Sequence, residues 1–156
     1  MATTDGTPLT LYLIKRLELV SRSLLDDALR PRGLTTLQYT ALTVLEARGA
    51  TSSAQLARRS FLRPQTMHEM VLTLEKRGLI RREAQLGNKR VLLATLTEQG
   101  RELLAECRPA VLELERAMLE QFSPGQRAVF REALELGIGS LAPLAREREN
   151  TDAGRD

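Results

Sequence analysis

The chain has 156 residues, a hydrophobic fraction of 42% and a net charge of +3, which is enough apolar content for a core and too much for a disordered chain. Only 3% of residues are aromatic and there is no Trp, which argues against a base-stacking platform for single strands. One Cys excludes an internal disulfide, and with one His it excludes a protein-only zinc site, so no metal or cofactor is expected. No apolar run approaches the ~20 residues of a membrane span, and the N-terminal stretch lacks a basic start followed by an apolar segment. No membrane partner and a cytoplasmic location are therefore expected.

Residues 1–7 are small and polar and are expected to be disordered. A helix is predicted from Pro8 to about Leu29, with an apolar line at Leu13, Leu17, Val20 and Leu24, and Pro31 and Gly33 ending it. Thr35 and Gln38 have capping-box spacing and open a second helix that carries Ala41, Leu42 and Leu45 before Gly49. Ser52 and Gln55 repeat the box and open a short third helix with Leu56 and Ala57 inward. Phe61 and Leu62 are expected to fill the following turn, and Pro64 stands where a helix tolerates it, at the first position.

The fourth helix places Met67, Met70, Val71 and Leu74 at i, i+3, i+4 and i+7, which predicts the buried side. Gln65, Thr66, His68, Glu69, Thr73 and Lys76 are left facing outward. Short polar groups near a helix N-terminus can reach base edges and phosphates. Gly78 is read as the left-handed cap, Leu79-Ile80 as the start of a strand, Gly87-Asn88 as a hairpin tip and Val91 to Leu96 as the return. From Gln55 to Arg90 nine Lys/Arg stand against three acids, a net +6 in a chain whose total is +3. Polyanion binding needs such a localised field.

Thr97 and Glu98 open a long helix to about Phe122, with Leu104, Val111 and Met118 recurring every seven residues and Pro109 interrupting the ladder. Ser123, Pro124 and Gln126 start a last helix that carries Val129, Phe130, Leu134 and Ile138. The charged residues 145–156 are expected to be disordered. The fold class is therefore mainly α with a small β-hairpin wing: a winged helix-turn-helix over 35–96, flanked by a helical dimerisation region over 8–34 and 97–144. The apolar faces of the flanking helices exceed what one small globule needs, so a second copy is expected to cover them.

The segments LTTLQYTALTVL, SSAQLARRSFLRPQTMHEMVLTLEKRGLI and LLATLTEQG together resemble the MarR (multiple antibiotic resistance regulator) family, over about Leu9 to Leu144. The resemblance implies a cytoplasmic, homodimeric transcriptional regulator, a repressor that binds palindromic double-stranded DNA and is released by a small anionic or phenolic effector. Two positions depart from the family pattern. The wing carries Gln85 to Arg90 where an Asp-x-Arg element is usual, so Arg90 keeps the minor-groove role without a bracing carboxylate. Arg63 replaces the usual Ser or Thr cap before the recognition helix; its charge opposes the helix dipole and suits a neighbouring phosphate.

The expected DNA-binding residues are Ser52, Arg63, Gln65, Thr66, His68, Glu69, Thr73, Lys76, Lys89 and Arg90. Gln65 matches adenine, and Glu69 can accept from a cytosine amine. Arg16 and Tyr39 are the candidates for an effector pocket between the dimer helices and the winged core. No catalytic residue is expected: no nucleophile–base pair and no Gly-rich phosphate loop is present. Two alternatives stand beside this reading, a redox-responsive regulator acting through Cys107 and a low-specificity nucleoid-type DNA-binding protein.

Overall fold

The computed structural model describes residues 6–153. In chain order it contains α1 (Thr10–Leu29), a 3₁₀ turn (Arg30–Arg32), α2 (Thr36–Arg48), β1 (Thr51–Ser52), α3 (Ser53–Ser60), α4 (Pro64–Lys76), β2 (Ile80–Gln85), β3 (Asn88–Leu96), α5 (Glu98–Met118) and α6 (Pro124–Ala153). The sheet is antiparallel with order β1-β3-β2. The third strand is a correction to the predicted two-stranded hairpin. Thr51 and Ser52 pair with Ala94 and Leu93, so the link between α2 and α3 closes the free edge of β3.

The capping boxes predicted at Thr35, Ser52 and Ser123 all form, the last by exchange between Ser123 and Gln126 at 2.8 and 3.3 Å. Thr35 accepts from the Gln38 amide at 3.2 Å while the Gln38 side chain accepts from Thr35 N–H at 3.1 Å. Ser52 and Gln55 repeat the exchange at 3.2 and 3.1 Å. Asp26 adds a cap that spacing alone does not announce. One carboxylate oxygen accepts from both the backbone N–H and the hydroxyl of Thr36, at 2.8 and 2.7 Å, and so ties α1 to the start of α2. The Thr36 hydrogen bonds hold the Asp26 carboxyl below its ordinary range.

The end of α4 is a Schellman motif. Gly78, at φ 73°, donates to Glu75 O, and Leu79 donates to Leu74 O. Gly78 therefore stands one residue beyond the cap itself, which is Arg77. Thr97 then fastens α5 to this corner: its hydroxyl donates to Gly78 O at 2.6 Å and accepts from Gly100 N–H at 3.1 Å. Gly100 is required by close approach, because a Cβ there would lie 2.2 Å from the backbone oxygen of Leu79.

The core gathers Leu42 and Leu45 of α2, Leu56 of α3, Met67, Val71 and Leu74 of α4, Ile80 and Ala94 of the sheet, and Leu104 and Cys107 of α5. Three expectations about packing are corrected here. Met70 is half-buried, because it packs on the core from its edge. Phe61 is 53% exposed, because it takes the left-handed position that ends α3 and its ring is carried outward; Leu62 alone packs inward. The Leu104, Val111 and Met118 line is not one continuous free seam. Leu104 is fully buried in this chain's own core, Val111 packs against it in part, and only Met118 is exposed.

The long helix ends at Met118, short of Phe122, and Pro109 lies inside it without ending it. The return strand of the wing begins at Asn88, earlier than predicted. The last helix does not stop before residue 145. α6 runs through Pro143 to Ala153, because that stretch is rich in Arg, Glu and Ala, good helix formers, and holds no glycine after Gly139. The remaining residues expected to be disordered, 1–5 and 154–156, lie outside the described residues.

Candidate nucleic-acid interface

Recognition by a helix needs one side locked and the other free. On α4 the locked side is Met67, Val71 and Leu74, each at 0% exposure. The free side carries Gln65, Thr66, His68, Glu69, Thr73 and Lys76, all exposed. Thr73 is partly committed to its own helix, donating its hydroxyl to Glu69 O at 3.0 Å. Arg63 occupies the cap position of α4 with no side-chain hydrogen bond to the helix, and Pro64 follows at the first turn. Arg63 thus stands at the positive end of a helix dipole with no ion-pair partner among the described residues, where a phosphate would satisfy both charges.

The wing supplies the second element. Leu86 and Gly87 make its two-residue tip, with Gly87 at φ 83° and Leu86 99% exposed. Pairing is regular from Ile80↔Leu96 to Ala84↔Leu92 and then jumps to Gln85↔Asn88. Lys89, Arg90 and Val91 fall within this irregularity. Lys89 and Arg90 are exposed beside the tip. Asn88 stands two residues before Arg90, and its Oδ1 accepts from the Arg90 backbone N–H at 3.2 Å. Asn88 therefore shapes the Arg90 backbone as an Asx turn does, but carries no charge to brace the guanidinium.

Not every cation of the basic segment is free to meet DNA. Arg82 donates from Nε and an Nη to Glu75 at 2.9 and 2.6 Å, pinning β2 to α4, and that contact holds the Glu75 carboxyl below its ordinary range. Arg77 donates to Gly33 O at 2.7 Å, 44 positions away. Both counted toward the basic field in sequence, and both are structural; a separation that long leaves no local signal. Ser52 is half-buried in the N-cap of α3, so its hydroxyl is already engaged there.

The two effector candidates are apart in character. Arg16 is exposed on α1, with its guanidinium 5.7 Å from the centre of the Tyr12 ring. Tyr39 packs half-buried against the core, and burial pushes its hydroxyl above the ordinary range. Neither lines the groove between α1 and α5 or the cleft between α2, α3 and α6. Cys107 is 1% exposed, and burial raises its thiol, which disfavours the reactive thiolate a redox switch needs. Among the described residues no cluster of His, Cys, Asp and Glu could hold a metal, and no helix is long and apolar enough to cross a membrane.

The MarR family model matches residues 34–92, which run from the start of α2 through most of the wing. The HTH-type transcriptional repressor Rv2887 of Mycobacterium tuberculosis is 34% identical over 135 residues, covering 86% of this chain and 96% of the relative. This chain belongs to the MarR family. It is a DNA-binding transcriptional repressor of that family and not an enzyme. The solved structure of Rv2887 in complex with salicylic acid superposes with a TM-score of 0.68 at 32% identity, over 84% of this chain and 97% of that one. The apo form of wild-type MarR from E. coli has a TM-score of 0.73 at 19% identity, over 84% of this chain and 98% of that one, and shares the MarR fold.

Proposed function

We propose that this MarR-family chain binds palindromic operator DNA as a homodimer, in the cytoplasm, and is released by a small anionic or phenolic effector. In this reading residues 35–96 form the DNA-binding unit and 8–34 with 97–144 the dimerisation region. The observation that carries it is α4: three fully buried side chains set its rotation and turn six polar ones outward. Gln65 and Thr66 lie in its first turn, where a helix entering the major groove meets base edges. Arg63, Lys89 and Arg90 contact the backbone or minor groove. The exposed Leu13, Leu17, Val20 and Leu24 of α1 and the exposed Val129, Leu136 and Ile138 of α6 are covered by the second copy. The salicylic acid complex of Rv2887 supports an aromatic acid as effector.

Gln65→Ala tests the reading. It should weaken binding to the selected operator by about 1–3 kcal/mol and leave random duplex nearly unchanged. Half-sites should lie about one turn, ~10 bp, apart, and inserting about half a turn between them should abolish tight binding. Equal loss on operator and random DNA, or tolerance of the insertion, removes α4 from base reading.

A further inference from the structure

We propose that Leu86, at the tip of the wing, is an apolar wedge that enters the minor groove and opens a base step, so that operators with a flexible step beneath each wing are selected. The proposal rests on the reading of this chain as an operator-binding repressor whose wing meets the minor groove. It adds a specificity-determining residue that carries no charge and makes no hydrogen bond.

Leu86 is 99% exposed, the most open large apolar side chain among the described residues; the next, Leu136 of α6, is at 66%. Most of the other open ones lie on α1, α5 and α6, the helices assigned to dimerisation. Leu86 stands apart from that face. The turn does not need a leucine either. Gly87 supplies the left-handed residue, at φ 83°, and a Cβ there would meet nothing within 4 Å, so no other part of the chain packs on the tip at that point. Hairpin tips favour Gly, Asn and Asp, and a large apolar side chain adds nothing to their geometry.

The surroundings of Leu86 set its partner. Gln85, Asn88, Lys89 and Arg90 are exposed with it. The single acid of the wing, Glu83, is engaged by Arg81 at 3.3 Å. The break in register leaves Lys89 and Arg90 on an irregular stretch beside the tip, the kind of feature that re-aims side chains. One leucine is too small a patch to dock a protein or a bilayer. Phosphates meet the two cations but offer Leu86 nothing. The apolar surface that a duplex can give it is a base face, exposed when a step is pried open. Leucine is among the side chains that do this from the minor groove, kinking the duplex toward the major groove. The cost of opening is lowest at TA and CA/TG steps. Leu86 thus reads deformability where Arg90 reads the groove's negative potential.

Permanganate oxidation of unstacked thymines tests the wedge, since TA and CA/TG steps each hold a thymine. The probe is the duplex that the full-length chain selects from a random pool. Wild type should leave reactive thymines at two positions symmetric about the centre of the site and bend the duplex by ~20–90° in circularly permuted gels. Leu86→Ala should lose the reactive thymines and bind about tenfold more weakly. Its salt slope and thermal midpoint should not change, because the side chain removed is neutral and exposed. Leu86→Met should keep most of the reactivity, since methionine also serves as a wedge. Arg90→Ala should differ in salt, with a slope lower by about one. Replacing the reactive step by the stiffer AA should weaken wild type and leave Leu86→Ala nearly unaffected. Equal reactivity in wild type and Leu86→Ala, no reactive thymine with wild type, or unchanged affinity of Leu86→Ala overturns the wedge. So does a change in sedimentation of Leu86→Ala, which makes the tip a protein contact. If Leu86→Ala behaves as expected while Gln65→Ala weakens operator and random duplex alike, base reading by α4 falls and the wedge stands. If Gln65→Ala is selective and no thymine opens, the wedge falls and base reading by α4 stands.

Discussion

The winged core and the flanking helices spend their apolar residues in opposite ways. In the core, Leu42, Leu56, Met67, Leu74 and Ile80 are all but completely buried, and Thr97, Gly78 and Gly100 bolt α5 onto the same unit. On α1 and α6 the large apolar side chains are mostly open: Leu19, Val20 and Leu24 on one, and Val129, Leu136 and Leu144 on the other. Between α1 and α5 lies an apolar groove of about 570 Å³, lined by Leu17, Leu24, Val111 and Met118 among others. The core is finished within one chain. The flanking helices carry a surface whose burial needs something further, and a second copy is the economical cover. The two regions should therefore respond differently to substitution.

The largest difference should come from charge on the open face. Leu17→Glu with Leu24→Glu should turn a dimer into a monomer in sedimentation at micromolar concentration. Loss of tight operator binding should follow, while far-ultraviolet circular dichroism stays helical. A wild type that sediments as a folded monomer would end the dimer reading outright.

Inside the core, Met67→Ala should lower stability by about 2–5 kcal/mol, the cost of truncating a fully buried Met. Met70→Ala, three residues on and only half-buried, should cost clearly less. Chemical denaturation measures both, and equal losses would mean that Met70 is buried in the dimer.

The smallest effect concerns the joint between the regions. The carboxyl of Asp26 is held low, first by the Thr36 hydroxyl and then by the Thr36 backbone N–H. A lowered native value means stability that is present above the unfolded aspartate pKa of about 3.9 and is lost as pH falls through the native value. Wild type should exceed Asp26→Asn in stability at neutral pH, and the gap should close in that acid window. Thermal melts that differ by a constant amount at every pH would show that Asp26 does not cap α2 as an anion.

How much of this was legible in the residues depends on range. The capping boxes were readable because partner groups sit three residues apart. The buried side of α4 was readable because Met67, Val71 and Leu74 recur with the helical period. The positions of Gln65 to Lys76 followed by subtraction. Arg77 and Arg82 look free in the sequence, because their partners Gly33 O and Glu75 are met only after the chain folds back. The strand at Thr51–Ser52 is two residues long, and its pairing to β3 spans some 40 positions, so no local pattern announces it.

By itself, then, the sequence determined what repeats at short spacing: the helices, their starts, the rotation of α4 and the family to which those segments belong. Tertiary structure alone decided which groups remain free. It tied the side chains of Arg77 and Arg82 to partners within the fold, turned Phe61 outward, put Leu104 in this chain's own core and left Arg48, Arg58 and Arg59 around one cleft. The physical reason is that local hydrogen bonding and side-chain periodicity are written within one turn of helix. Burial and charge pairing depend on neighbours that only the folded chain brings near.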